Sequence, residues 1–271
     1  MLRLLRSLFV IVLAFAVLAC SENALARTLD EILSAGEIRV GVNPNYPPTA
    51  LYNDKNELVG FEVDVAKRLA EMLGVKVQFV IVDPASRIPF VTSNKIDVVM
   101  GGMTRTPDRA KLIDFSVPLY TEGSAVLTTE GQKYETVDSL NTDQVTFADV
   151  RGTTPVAFIQ QSLPKAKLLF LENWTDAVRA VATGRATALI ADPAFYTSLL
   201  PNFPDAKFRT LKGAAGPVGY DCLGLAPGNT RLLNWLNVAL FQLHTNGFVD
   251  TAYKQWHHSE MVAPVMASPY F

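Results

Sequence analysis

Cysteine and histidine are scarce: the 271 residues hold two of the first and three of the second. His257 and His258 are neighbours, so a helix sets them about 100° apart. They do not make a compact ligand pair, and packing or surface roles are expected instead of a metal site. HExxH, a Walker glycine loop and a dinucleotide glycine fingerprint are all missing. No cofactor is expected. Lys and Arg number 24 against 26 Asp and Glu, a formal charge of −2. No basic run stands out, which speaks against a nucleic-acid partner. Beyond Ala26 there is no apolar run of the roughly 20 residues a membrane helix needs, so the mature chain is expected to be soluble.

The first 26 residues are different. Arg3 and Arg6 precede the apolar block "SLFVIVLAFAVLA", and "ALA" at Ala24–Ala26 has the small-x-small cleavage pattern. This reads as a secretory signal peptide. A second reading stands beside it: "VLAC" resembles a lipoprotein box with Cys20 as the lipidated residue. Either way Cys222 is left without an intramolecular partner, and the apolar run "CLGLA" around it suits a buried, inert thiol.

Hydrophobic residues make up 49% of the chain, enough for a sizeable core and one large or two ordinary domains. Thr28 and Glu31 form a capping box for a first helix. "EIRVGV", "VKVQFVIV" and "KIDVVM" read as strands with helices between them, "DVAKRLAEMLG" and "SRIPFVTSN". The apolar runs are β-branched and nearly continuous, as in parallel strands covered on both faces. The pattern restarts after about residue 122, with strands "QVTFADV", "KLLFLE" and "RATALIA" and helices "VAFIQQSL" and "NWTDAVRAVATG". The tail returns to a strand, a long helix and a last helix. The expected fold is α/β: two Rossmann-like lobes joined by a two-strand hinge. Residues 1–26 are the signal peptide. Residues 27–121 plus 219–271 form one lobe, and 122–218 the other. Crossings are expected near Tyr120–Ala125 and Pro217–Asp221.

Open parallel sheets bind ligands beyond their carboxyl ends. Four segments occupy such ends: "NPNYPP", "GGMTRTPDR", "RGTTP" and "ADP". Gly101 and Gly102 leave backbone groups approachable, and Thr104 adds a hydroxyl. Arg109 offers a planar fork that matches a carboxylate. Thr153 and Thr154 open a helix, where partial positive charge collects. Asp192 suits an ammonium, and Tyr46 an aromatic wall. Together these suit a small zwitterion. Each also has a plainer reading: Arg109 a surface arginine, Asp192, Thr153 and Thr154 helix caps, Tyr46 core packing. Glu62 and Asp64 are expected to cap the helix that follows "GF".

The same segments carry a family likeness. The mature chain resembles, end to end, the periplasmic solute-binding proteins of polar amino-acid ABC transporters, bacterial extracellular solute-binding protein family 3. The segments are "GEIRVGVNPNYPPTALY", "LVGFEVDVAKRLAEMLG", "RIPFVTSNKIDVVMGGMTRTPDRAKLIDFSVPLY", "RGTT", "TALIADP" and "NGFVDTAYKQW". The resemblance implies the type 2 periplasmic binding protein fold closing over one amino acid. It implies Arg109 for the α-carboxylate, with Thr104 and the Gly102 backbone sharing in binding. It assigns Asp192 to the α-ammonium, Thr153 and Thr154 to closure from the second lobe, and Tyr46 to the ligand side chain. Asn43 stands where members that bind cationic amino acids often carry aspartate. "DPAS" lacks an aromatic residue that some members place there. Arg105 either points into the cleft or faces solvent.

A monomeric periplasmic receptor that hands an amino acid to an ABC permease is therefore expected, and not an enzyme. Two alternatives stand. Cyclohexadienyl dehydratases share the likeness, but they need a positioned acid, and no extra carboxylate clearly enters the cleft from sequence. The third reading is the ligand-binding partner of a membrane sensor.

Overall fold

The computed structural model describes residues 26–268. Cys20 and all of the expected signal peptide but its last residue, Ala26, lie outside the described residues.

The first lobe begins with α1 (Leu29–Ala35), closed at its start by the Thr28–Glu31 capping box and at its end by left-handed Gly36. Strand β1 (Glu37–Val42) follows, then a hairpin of β2 (Leu51–Tyr52) and β3 (Leu58–Val59), and α2 (Phe61–Leu73). Strand β4 (Lys76–Ile81), α3 (Arg87–Thr92), β5 (Val98–Val99), α4 (Pro107–Ala110) and β6 (Asp114–Glu122) complete the outward path. The second lobe contains β7 (Ala125–Thr129), β8 (Thr146–Val150), α5 (Thr154–Ser162), β9 (Lys167–Leu171), α6 (Trp174–Ala182), β10 (Ala188–Ala191), α7 (Pro193–Leu199) and β11 (Phe208–Thr210). The chain returns through β12 (Gly219–Leu225) and ends in α8 (Thr230–Thr245) and α9 (Phe248–His257).

Two five-stranded sheets result, ordered β4-β1-β5-β12-β6 and β11-β7-β10-β8-β9. Strand β1 pairs in parallel with β4 and β5, and β8 with β9 and β10. The all-parallel expectation needs correction, because both sheets are mixed. Strand β6 runs out toward the second lobe and β12 runs back, so the two lie antiparallel, joined from Gly219 opposite Glu122 to Leu225 opposite Asp114. In the second sheet β7 is antiparallel to both β10 and β11. The chain thus passes between sheets twice, after Glu122 and again before Gly219.

Helix α2 shows why the core forms where it does. Val65, Ala66, Leu69 and Ala70 share one helix face and are buried, in the period expected of a helix covering a sheet. They join Leu232, Leu236, Leu240 and Leu243 of α8 in one cluster on the first sheet. Cys222 is buried, and burial pushes its thiol up to about 12. His257 stacks on Tyr253 at 3.8 Å, and burial pulls its imidazole down to about 4, so it packs as a neutral ring. Beyond α9 the chain lies against the crossing strand: the Thr121 hydroxyl donates to Ala263 O (2.7 Å) and accepts from Ala263 N (3.2 Å).

Candidate ligand-binding cleft

The carboxyl ends of β1, β5, β8 and β10 converge between the sheets. Asn43, Tyr46, Gly101, Gly102, Thr104, Arg109, Thr153, Thr154 and Asp192 all line one interlobe cavity of about 40 Å³. Pro84, Arg87, Glu122, Gly123, Ser124, Pro155, Trp174 and Ala191 complete its wall.

The loop after β5 is bonded on both sides. Gly101 and Gly102 both adopt left-handed φ, 71° and 66°, which costs a glycine little. This turns both N–H groups toward Glu62, whose carboxylate accepts them at 2.6 and 2.9 Å. The two carbonyls accept from the buried Arg87 guanidinium. Two expectations change here. The glycine backbone, expected to be open to a ligand, is held within the protein by an acid on one side and a guanidinium on the other. Glu62, expected as a helix cap, lies inside α2, where Gly60 is the cap residue without a side-chain bond. Asp64 is not a cap either, and accepts from the Trp256 indole at 2.7 Å. A carboxylate in the first turn suits a cap, but here the amides it reaches are 39 and 40 residues away in the chain.

Burial pushes Glu62 up, while the two amides, Arg87 and the Tyr120 hydroxyl oppose it. Glu62→Gln leaves one of two buried amides facing an N–H instead of an oxygen. A loss of about 2 kcal/mol follows, which for a chain of this size is a fall of roughly 4–8 °C in melting temperature. A thermal melt within 1 °C or so of wild type would show that the loop does not depend on this acid.

Arg109 and Arg87 stand side by side. Thr106 caps the short α4 by accepting from Arg109 N, which fixes the arginine backbone. Its guanidinium donates to Thr104 O in its own lobe and to Gly152 O in the other, the latter at 2.8 Å. Arg87 reaches the same Gly152 O at 3.1 Å. Burial, reinforced by Arg87, pulls Arg109 down to about 10, still cationic at neutral pH. Two guanidiniums converging on one carbonyl leave donors for an anion.

From the other lobe, Thr153 donates to Asp149 Oδ1 and Val150 O, and so starts α5 without capping an amide by its side chain. Asp192 does cap: its Oδ1 accepts from Ala194 N at 2.7 Å, and Oδ2 from Gly123 N at 3.0 Å. Burial nevertheless pushes it up to about 6. Tyr46 reaches across from the first lobe, stacking on Phe195 at 4.9 Å and meeting Trp174 at 5.2 Å. Its plainer reading and its wall reading thus hold together. Asn43 Oδ1 accepts from Asn45 N. Arg105 lines a different space, a groove of about 450 Å³ beside the cavity. Its guanidinium lies 5.5 Å from the Tyr220 ring.

Sequence reasoning missed Arg87, Trp174 and Glu122. From sequence no extra carboxylate clearly entered the cleft; Glu122 lines it, where β6 leaves the first sheet. The one available signal was its place in "YTEG", at the expected crossing.

Two α/β lobes with mixed sheets and a charged cleft between them define the class: a type 2 periplasmic binding protein fold. Residues 38–259 match the family described as bacterial extracellular solute-binding proteins, family 3, and the chain belongs to it. Arginine-binding protein 1 of an Escherichia coli ABC transporter is 31% identical over 82% of this chain and 91% of its own length. The glutamine-binding protein GlnH of a Bacillus subtilis ABC transporter is 29% identical over 87% and 86%. A cyclohexadienyl dehydratase of Pseudomonas aeruginosa is 27% identical over 64% of this chain and 66% of its own length. Among solved structures, the ancestral amino acid-binding protein AncCDT-1, a precursor of cyclohexadienyl dehydratase, superposes with a TM-score of 0.78. It is 34% identical and covers 84% of this chain and 99% of its own.

Proposed function

We propose that this protein is a periplasmic receptor that captures a polar amino acid between its lobes and delivers it to an ABC transporter permease. The signal peptide, lobe 1 (27–121 plus 219–271) and lobe 2 (122–218) belong to the same reading, as does a monomer. The observation that carries it is the cavity wall, which places a guanidinium pair and cleft carboxylates around a space shared by both lobes. A zwitterion needs both signs of charge within a few ångströms. The cavity volume of about 40 Å³ has room for a few water molecules. An amino acid therefore enters with the lobes parted and is enclosed as they close.

Melting of the refolded mature chain against the twenty amino acids tests this. At about 100-fold over its dissociation constant a ligand adds roughly 2.7 kcal/mol, a plainly visible shift. A panel in which no amino acid moves the melt would sink the reading.

The dehydratase reading gains one observation. Glu122 is an acid in the cavity wall, pushed well above the usual carboxylate range by burial and by Asp221, as a general acid needs to be. Steady release of phenylpyruvate from prephenate by the purified protein would favour the enzyme over the receptor.

A further inference from the structure

Beside the ligand cavity lies a larger space that capture of a plain amino acid leaves unused. The groove holds about 450 Å³ against about 40 Å³ for the cavity, and Thr104, Glu122, Ser124, Thr154 and Pro155 line both. Asn43, Tyr46, Trp174 and Asp192 line the cavity alone. The two spaces therefore meet at the end of the cavity away from the Tyr46 and Trp174 rings. Their shared wall comes from both lobes. Thr104 stands in the first, Thr154 and Pro155 in the second, and Glu122 and Ser124 on the outward crossing. Its two sides separate as the lobes part, so a ligand entering then can lie across it.

One face of α5 is turned to the groove. Thr154, Ala157, Phe158 and Gln161 follow the i, i+3, i+4, i+7 spacing of a single helix face, and all four line the space. The Phe158 ring lies against Gly216, where a Cβ would stand 3.4 Å from it. The first-lobe side holds Arg105 and Tyr220. The Arg105 N–H donates to Tyr220 O at 2.9 Å, which fixes its backbone. Its guanidinium lies 5.5 Å from the Tyr220 ring centroid and, among the described residues, makes no ion pair. The guanidiniums of Arg87 and Arg109 are spent partly on carbonyls; that of Arg105 is a free fork in a groove flanked by two rings. Such a space suits a carbon stem that ends in a carboxylate.

The head group decides where the stem is attached. With the α-carboxylate on Arg109 and the ammonium on Asp192, the side chain lies toward Tyr46 and Trp174. A stem on the carboxylate would remove the charge that Arg109 holds. A stem on the side chain would lead away from the groove. A stem on the nitrogen leaves a secondary ammonium, still cationic and with two N–H groups for Asp192. It also passes Glu122 and Ser124 on the shared wall.

Resting on the amino-acid reading, we propose that the groove is a second ligand subsite, in which Arg105 takes a distal carboxylate borne on the nitrogen of an N-carboxyalkyl amino acid. Phe158 and Tyr220 flank the stem. Arg105 belongs to the first lobe and Phe158 to the second, so this ligand bridges the lobes outside the cavity as well as within it. It favours the closed state more than the bare amino acid does.

Calorimetric titration tests this with alanine, glutamine, arginine and phenylalanine, each free and in two N-alkylated forms. One form bears a carboxylate at the end of the stem and the other a carboxamide, so the pair differs in charge at equal shape. Stems of increasing length cover the reach to Arg105. At the best length the carboxylate should bind about fivefold better than the carboxamide, the size expected of an ion pair on an exposed arginine. The difference should shrink as salt is added. Arg105→Gln should erase it while binding the free amino acid as wild type does, and Arg105→Lys should keep part of it. Arg105 is exposed and anchored through its backbone, so both variants should fold, which a melt checks. Equal binding of carboxylate and carboxamide at every stem length, or a preference that survives in Arg105→Gln, would overturn the subsite and leave amino-acid capture standing. So would a free amino acid that binds while every N-alkylated form fails. Extended forms that bind through Arg105 while no free amino acid binds would keep the subsite and sink capture of a free amino acid. Failure of every form would sink both.

Discussion

Gly152→Ala should weaken amino-acid capture by about 100-fold while the empty protein still folds and melts in one transition. Gly152 has φ 84°, and a Cβ there would lie 2.7 Å from Pro84 O, 2.9 Å from Pro84 C and 3.0 Å from Ala85 Cα. All three atoms are backbone, and all belong to the other lobe. They cannot move aside as a side-chain tip can, so the clash is relieved by parting the lobes. Alanine at positive φ costs about 1–2 kcal/mol in any state, a modest fall in stability. The larger penalty falls on the closed state alone. Gly152 O also receives both Arg87 and Arg109, so separation loses two charge-assisted hydrogen bonds. If closure loses about 3 kcal/mol, the competent fraction and the apparent affinity both fall by roughly 100-fold. Calorimetry reads the affinity, and small-angle scattering at saturating ligand reads compactness. Wild-type affinity in this variant would mean that the closed arrangement is not the binding one.

Helices and strands announced themselves by period, since Val65, Ala66, Leu69 and Ala70 recur at helical spacing and end at Gly74. The four strand-end loops were legible for the same reason, because residue types that cannot continue a strand follow apolar runs. That was enough to place nine residues around one cavity. What was not legible was partner choice. Glu62 looked like a cap because caps are local, yet its amides come from a loop far along the chain. Arg87 looked like the start of a helix, yet its guanidinium bonds carbonyls 14, 15 and 65 residues away. Strand direction failed similarly: an apolar run has no sense of direction, and only the out-and-back path through β6 and β12 makes the sheets mixed. Buried charge is settled by distant neighbours, so single-sequence pattern finds the wall of a site more readily than its wiring.

Arg109→Ala should cost more than any other single change in the cleft, about 100- to 1000-fold in affinity for the amino acid. Truncating one side of a buried, hydrogen-bonded charge pair costs 2–5 kcal/mol or more, and a fork on a carboxylate is a strong form of it. The fold should tolerate the change. Of the two carbonyls Arg109 reaches, Thr104 O lies in its own lobe and Gly152 O across the cleft, so the intralobe loss is about 1 kcal/mol. Arg109→Lys keeps the charge without the fork and should fall between. Since Gly152→Ala also weakens capture, affinity alone does not tell a lost clamp from a blocked hinge. The methyl ester of the same amino acid does. Wild type and Gly152→Ala should both bind the free acid far better than the ester, because the clamp is intact in each. Arg109→Ala should bind acid and ester about equally. A full preference for the acid in Arg109→Ala would move the carboxylate to Arg87, whose guanidinium stands beside it and already carries the glycine loop.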